Sequence, residues 1–275
     1  MTEQHFTLQA LAMDLDGTLL NSQKEISETN LQALQNAHDK GVEIIIATGR
    51  MSPTVYPKVA QFPFPCSIVS YNGARLLEQQ NGSWNPLIAE TLDTEVVKDV
   101  YRLCQEKKLF LNVYRDDVLY GYHPDGDYEW AGFYSKATSS VFADYYNNLE
   151  PLPVDNITKL LSICSYEIRE AHFPGFEDFF QGRCTVVKSE PEYTEFIPTG
   201  VSKATALEKW CKLKNIPVAN LVTMGDAEND LEMLRFAGKG IASANCTPGV
   251  KAVFDNVSEW TNDEHMVAKE LERLL

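Results

Sequence analysis

Met13-Asp14-Leu15-Asp16-Gly17-Thr18 closes an apolar run with two acids and then a turn, and the fold is read outward from it. The run ending at Met13 is expected to be a strand. A helix follows over roughly Glu28 to Asp39, capped by Ser27, stapled by Ile26 and Leu31, and closed by Lys40-Gly41. The next strand, Val42 to Ala47, contains Ile44-Ile45-Ile46. It shows no period-two alternation, as a strand covered on both faces of a parallel sheet should not. Together these segments make a βαβ unit. A short strand at Ser67 to Ser70 leads into a Tyr71-Asn72-Gly73 turn, and a hairpin is expected around Asn81-Gly82.

From about Asp93 the texture changes. A helix carrying Val96, Val97, Val100, Tyr101 and Cys104 precedes paired strands near Leu109 to Arg115 and Val118 to Tyr122. Eleven aromatic residues lie between Phe110 and Tyr146. Further strands are expected at Ile157 to Cys164, Cys184 to Lys188 and Tyr193 to Ile197, with a helix after Ser165. After Pro198-Thr199-Gly200 the first pattern returns: a Ser202-capped helix, the strand Leu221 to Met224, a helix ending near Gly238 and a closing helix from about Asp263. The fold class is α/β. Residues 1–82 and 198–275 form a Rossmann-like parallel-sheet core with helices on both faces, and residues 83–197 form an inserted α+β domain.

The 275 residues, 44% hydrophobic and 23% charged, have the composition of a globular protein with a full core. A net charge of −15 opposes binding to a nucleic-acid backbone, which needs a Lys/Arg surface. A small phosphorylated molecule stays compatible, because one divalent cation and a few basic side chains invert the field inside a crevice. Cys66, Cys104, Cys164, Cys184, Cys211 and Cys246 are scattered without metal-site spacing and are read as reduced, buried thiols. Met1 to Gln9 lacks the pattern of a signal peptide, and no run approaches a membrane span, so a cytoplasmic, membrane-free protein is expected. It is expected to be a monomer or homodimer.

Asp14 and Asp16 stand where ligands bind in open parallel sheets, outside the carboxyl end of a strand. By themselves they fit either a site or a turn with solvated acids. A calcium loop is excluded because its sixth position, which needs Gly, is Leu19. A second acidic group, Asp226, Asn229 and Asp230 in Met224-Gly225-Asp226-Ala227-Glu228-Asn229-Asp230, follows another apolar strand. Helix capping is its alternative reading. Two such clusters at strand ends repel unless a cation joins them, and hard carboxylate oxygens suit Mg2+. Thr48 and Gly49 end the isoleucine strand, where a hydroxyl and peptide N–H groups can seat phosphate oxygens. Lys203 adds a cation at a helix start, where anions are already favoured.

In this order the motifs Asp14-Leu15-Asp16-Gly17-Thr18, Thr48, Lys203 and Gly225-Asp226-x-x-Asn229-Asp230 resemble those of the haloacid dehalogenase superfamily of phosphatases. Ala47-Thr48-Gly49-Arg50, Asn72-Gly73-Ala74 and Asp263-Glu264-His265-Met266-Val267-Ala268, with the large insertion, look like its Cof-type branch with an α/β cap. The resemblance covers roughly residues 8–82 and 198–275. It implies that Asp14 is the nucleophile and becomes an aspartyl phosphate. Asp16 would be the general acid and base, and its backbone carbonyl would help hold the metal. The implied metal set is Asp14, Asp16 and Asp226, with Asn229 and Asp230 supporting it. Thr48, Gly49 and Lys203 would bind the transferring phosphoryl group, and Arg50 and Asn72 are candidate substrate contacts. The chain departs from the family pattern at Ala204, at Ala242-Ser243-Ala244-Asn245-Cys246 and at Met266. None of these removes a catalytic side chain.

The expected reaction is Mg2+-dependent hydrolysis of small phosphomonoesters such as sugar phosphates or phosphorylated cofactors, with the inserted domain choosing the substrate. Phosphoryl transfer to a sugar hydroxyl and non-catalytic sensing of a phospho-ligand are the alternatives. Tyr120, Tyr122, Tyr128, Trp130, Phe133 and Tyr134 fit a core, a dimer surface or a stacking surface for a ring. His123 and His172 are read as ordinary structural or exposed side chains.

Overall fold

The computed structural model describes residues 7–80, 82–138, 140–147 and 151–275. Two compact units emerge, one built from residues 1–89 and 202–275, the other from 90–201. The first segment of unit one runs β1 (Ala10–Met13), α1 (Glu28–Asp39), β2 (Glu43–Ala47), α2 (Ser52–Val59), β3 (Ser67–Ser70), β4 (Arg75–Gln80) and β5 (Ser83–Ala89). Unit two contributes α3 (Thr94–Lys107), β6 (Phe110–Arg115), β7 (Val118–Tyr122), α4 (Glu129–Thr138) and β8 (Asp144–Tyr146). It continues with β9 (Ile157–Ile163), α5 (Tyr166–Phe180), β10 (Thr185–Lys188) and β11 (Tyr193–Ile197). The chain then completes unit one with α6 (Lys203–Lys214), β12 (Leu221–Gly225), α7 (Leu231–Phe236), β13 (Lys239–Ala242), α8 (Pro248–Val253) and α9 (Met266–Leu274).

Unit one is a seven-stranded sheet in the order β13-β12-β1-β2-β3-β4-β5. Its five strands from β13 to β3 are parallel, and β4 and β5 add an antiparallel hairpin at the edge. Both faces are buried. Leu11, Met13, Ile44 and Ile46 pack with Leu34 of α1 and Val267 and Leu271 of α9. Ala10, Ala12, Ile45 and Ala47 pack instead with Leu207 and Trp210 of α6 and Met233 of α7. That two-sided covering is why these strands read as unbroken apolar runs. Residues 83–89 hydrogen-bond to β4, which carries unit one through β5. The expected hairpin turn keeps Gly82 at φ +76°, while Asn81 lies outside the described residues. Of the Met1 to Gln9 segment, residues 1–6 also lie outside them.

The helix expected over Glu28 to Asp39 is α1, and the Ser27 side chain accepts the Asn30 N–H at 3.2 Å. Asn30 is buried inside α1, and its Oδ1 accepts the Ala268 N–H, pinning α9 across α1. The closing helix begins at Met266 rather than at Asp263. Thr261 and Glu264 first close a separate turn as a capping box, and His265 then adopts φ 62°, which breaks helical continuity. Met266, a departure from the family pattern, is fully buried in the core.

Unit two is a six-stranded sheet in the order β10-β11-β9-β6-β7-β8, antiparallel except between β7 and β8. One face, with Leu111, Val113, Leu160 and Phe196, packs against Val96, Val97 and Val100 of α3 and Phe176 and Phe180 of α5. Within the aromatic run, Phe110, Tyr114, Tyr122 and Tyr134 are buried core residues, whereas Phe133 and Tyr145 are exposed. His123 is structural. Its Nδ1 accepts the N–H groups of Asp125 and Asp127, so its Nε2 carries the proton and donates to the Lys108 carbonyl at 3.2 Å. All six cysteines are buried and free. Among the described residues no helix is long and apolar enough to cross a membrane.

Candidate active site

In the register of the first sheet, Met13 stands opposite both Ile46 of β2 and Met224 of β12, so the carboxyl ends of three parallel strands lie level. The chain winds from β1 outward to β2 and β3, then returns on the other side of β1 as β12 and β13. That reversal opens a crevice outside the end of β1. Asp14 is its first residue, anchored by its N–H to the Met224 carbonyl at 3.0 Å.

Lys203, fully buried at the first turn of α6, bonds Asp14 Oδ1 and Asp230 Oδ1, both at 2.6 Å. The other oxygen of Asp230 accepts the N–H groups of Asp226 and Ala227 at 2.9 and 3.1 Å, so this carboxylate shapes the loop after β12 while it holds the lysine. Asp226 Oδ1 accepts the Thr18 hydroxyl at 2.8 Å. Glycine is demanded between them. Gly17 has φ +77°, and a Cβ there would lie 2.3 Å from Asp226 Oδ2.

Asp16 faces other partners. Arg50 grips it through Nε and Nη2 at 2.6 and 2.7 Å, and Lys24 Nζ adds a contact at 2.8 Å. Burial acts to raise the Asp16 pKa, but the Arg50 and Lys24 bonds outweigh it and hold the carboxyl down at about 2. Thr48, almost fully buried, accepts the Arg50 N–H on Oγ1 at 3.2 Å and the Asn72 N–H on its carbonyl at 3.1 Å. Asn72 in turn accepts Asn229 Nδ2 at 3.0 Å, and the room for its amide exists because residue 49 is Gly. Asn245 ties the crevice together from behind. Its Nδ2 donates to the Gly17 carbonyl at 2.8 Å, and its Oδ1 accepts the Asn262 N–H.

The residues singled out in the sequence thus fall into two bonded groups. One joins Asp14, Lys203, Asp226 and Asp230, and the other joins Asp16, Arg50, Thr48, Asn72 and Asn229. Sequence reasoning assigned no role to Thr18, Lys24 or Asn245. Thr18 sits inside a motif already noticed, but the reach of Lys24 and Asn245 is set by loop paths that no spacing rule encodes. Ala204, a second departure, lies in the first turn of α6 and simply packs into the core on that sheet face.

Asp14, Asp226 and Asp230 each offer an oxygen, and these atoms lie within 4.8 Å of one another, close enough for one ion to reach them. The Asp16 carboxylate is not in this set. Three acids surround one buried ammonium that bonds only Asp14 and Asp230, which leaves an excess of negative charge in a place where charge is costly. Burial above all, then the charges of Asp230 and Asp226, pushes the Asp14 carboxyl up to about 8 against the opposing pull of Lys203. Asp226 is raised to about 6, again chiefly by burial and then by Asp230. Burial works against the Lys203 charge, yet Asp14 and Asp230 hold its pKa above the ordinary lysine value. Hard oxygens with surplus charge fit a small divalent cation such as Mg2+.

A family model described as haloacid dehalogenase-like hydrolase matches residues 11–271. The chain belongs to the haloacid dehalogenase-like hydrolases. Among haloacid dehalogenase relatives, 5-amino-6-(5-phospho-D-ribitylamino)uracil phosphatase YitU of Bacillus subtilis is 30% identical over 269 residues, covering 94% of each chain. Phosphatase YwpJ of the same organism is 28% identical over 98% of this chain and 100% of its own. A crystal structure from Thermotoga maritima superimposes with a TM-score of 0.87 at 30% identity, covering 98% of both chains. Within the haloacid dehalogenase-like hydrolases this chain is a Cof-type phosphatase, a hydrolase of phosphoric monoester bonds.

Proposed function

We propose that this enzyme hydrolyses small phosphorylated metabolites, such as sugar phosphates or phosphorylated cofactors, in a Mg2+-dependent reaction through an aspartyl phosphate on Asp14. The observation that carries the reading is the Asp14 carboxylate itself, buried at the crevice floor with Oδ1 held by Lys203 and Asp226 and Asp230 alongside. Names among the relatives, the ribitylaminouracil phosphatase and an HMP-PP phosphatase of Yersinia pseudotuberculosis at 28% identity, support a small phosphorylated substrate. Bound Mg2+, held by Asp14, Asp226 and the Asp16 carbonyl with Asn229 and Asp230 in support, would neutralise the surplus carboxylate charge and the negative charge of the phosphoryl group.

Lys203 orients Asp14 so that Oδ2 approaches phosphorus, forming the O–P bond as the ester oxygen departs. The lysine ammonium, the Thr48 hydroxyl and the Gly49 backbone balance charge on the phosphoryl oxygens, where most of this catalysis lies. Asp16 gives the leaving oxygen its proton and then takes one from the water that cleaves the aspartyl phosphate, releasing inorganic phosphate and free Asp14. In the free enzyme Asp16 is a carboxylate clamped by Arg50 and Lys24. Its first role therefore requires those cations to transfer to the incoming substrate and the freed carboxylate to take up a proton from solvent before the ester oxygen leaves, which gives Arg50 a place in binding.

The test is inorganic phosphate released from a panel of sugar, nucleotide and cofactor phosphates, with Mg2+ and with EDTA. Stoichiometric release that EDTA abolishes is expected. Phosphoryl groups recovered on added sugar acceptors instead of in water would replace hydrolysis with transfer, and unchanged turnover in EDTA would remove the metal from the reaction.

A further inference from the structure

Tyr71, Asn72 and Gly73, directly after β3, have φ 50°, 53° and 110°, three left-handed residues in succession. Glycine enters that region freely and asparagine tolerates it, but a tyrosine stays there only where surrounding bonds enforce it. Those bonds come from the loop after β2. The Tyr71 N–H donates to the Arg50 carbonyl at 3.0 Å and the Asn72 N–H to the Thr48 carbonyl at 3.1 Å. The left-handed turn is thereby fastened to the residues that seat the phosphoryl group.

The Asn72 side chain reaches the opposite way, accepting Asn229 Nδ2 on Oδ1 at 3.0 Å. Asn229 lies in the loop after β12, and β1 and β2 stand between β12 and β3 in the sheet. Three strand spacings amount to about 14 Å, so a single side-chain bond between these two loops requires both to lean inward across the strand ends. Asn72 is bonded on both sides of the crevice. Its amide also lies against Gly49, where a Cβ would come within 3.0 Å of Oδ1. A residue that follows a substrate needs an amide free to turn, whereas this one is committed to Asn229 and packed on a backbone. The bond also uses the nitrogen of the Asn229 amide and leaves its oxygen for the metal side, and Mg2+ takes oxygen ligands.

We propose that Asn72 is a positioning residue for phosphoryl transfer. It contacts neither cation nor substrate. By bonding Thr48 through its backbone and Asn229 through its side chain, it fixes the spacing between the phosphoryl seat and the metal loop and turns the Asn229 oxygen toward the cation. The inference rests on the reading of the site as a Mg2+-dependent phosphatase.

Asn72→Gly keeps the left-handed backbone and removes only the amide. Titration calorimetry of the full chain with MgCl2, without substrate, is expected to show Mg2+ binding weakened about tenfold or more, the usual cost of losing a bond that orients a ligand. In phosphate-release assays kcat should fall while KM stays within about twofold of wild type. Asn229→Ala breaks the same bridge from its other end, so the double variant should bind Mg2+ no more weakly than Asn229→Ala alone. Asn72→Asp retains both the acceptor and the tolerance for a left-handed backbone, and it should bind Mg2+ at least as tightly as wild type. Heat-unfolding midpoints in EDTA identify any variant that has lost its fold, and the Asn72→Asp result stands if Asn72→Gly is one of them. A raised KM with kcat and Mg2+ affinity unchanged in Asn72→Gly would make Asn72 a substrate contact and overturn the proposal. Additive losses in the double variant, or tenfold weaker Mg2+ binding in Asn72→Asp, would overturn it as well. Each of these results leaves EDTA-sensitive wild-type turnover, and with it the phosphatase reading, intact. Wild-type turnover indifferent to EDTA would instead remove that reading and the proposal together.

Discussion

Lys203 is shared between two carboxylates, and that sharing sets what each nearby residue can be changed to. Asp14→Asn keeps the shape and a hydrogen-bond acceptor for Lys203 while removing the attacking oxygen's charge. Phosphate release is expected to fall by at least about 10³-fold with the unfolding midpoint intact, because an amide cannot replace a carboxylate nucleophile. Lys203→Met behaves differently. It strands Asp14 and Asp230 in the interior, and losing one partner of a buried ion pair costs about 3–5 kcal/mol, so urea denaturation in EDTA should register a large loss of stability. Thr18→Val removes only the hydroxyl that aims Asp226. A roughly 10–100-fold rise in the Mg2+ concentration giving half-maximal activity is expected, the usual cost of losing a bond that orients a ligand. The identities of Asp14, Asp226 and Lys203 were legible from residue order alone. Their mutual bonds were not, because residues separated by 189 positions meet only when the strand order is known.

At the scale of elements, glycines decide how closely the segments around the crevice approach one another. Gly73 has φ +110°, and a Cβ there would lie 2.1 Å from the Ser202 carbonyl oxygen, at the residue that caps α6. Gly73→Ala should therefore push α6 and its Lys203 outward. The backbone conformation alone costs about 1–3 kcal/mol, and the collision adds to it, so both the urea midpoint and phosphate release should fall. Gly82 supplies the control, since it has φ +76° but open space around it. Gly82→Ala should lose some stability and keep its activity. The long elements were readable where a cap or an apolar run announced them, as Ser27 did for α1 and Ile44-Ile45-Ile46 for β2. Three helices were not read, and neither were the strands β8 and β13. Helix α2 carries Pro57 in its interior, α4 is hidden in an aromatic run without helical spacing, and α8 spans only Pro248–Val253. In such segments tertiary packing outweighs local propensity.

Across the whole molecule, charge ties stability to metal and pH. In the cation-free state Asp14 and Asp226 are raised to about 8 and about 6, so the folded chain keeps protons that the unfolded chain releases near its ordinary carboxylate pKa. A raised carboxyl contributes stability that is complete below its unfolded pKa and lost as pH rises through its folded one. Denaturation midpoints in EDTA should therefore fall between about pH 4 and pH 8, and Mg2+ should restore most of the loss at the upper end. Asp16 acts in the opposite sense. Lowered to about 2, it contributes stability above the ordinary carboxylate pKa that disappears as pH falls toward its own. A pH 8 midpoint unmoved by Mg2+ would contradict the assignment of the acidic cluster to a cation.

What the sequence determined by itself was the alternation of elements, the reduced state of the buried cysteines and the phosphatase class. Apolar runs, caps and strand-end acids are local features, written in neighbouring residues. Only the tertiary structure decided that Asp230 joins Asp14 through Lys203, that Asp16 is held apart by Arg50, and that Asn72 bonds both Thr48 and Asn229. Each of these depends on strand order and register, which bring distant residues together and which no local pattern specifies.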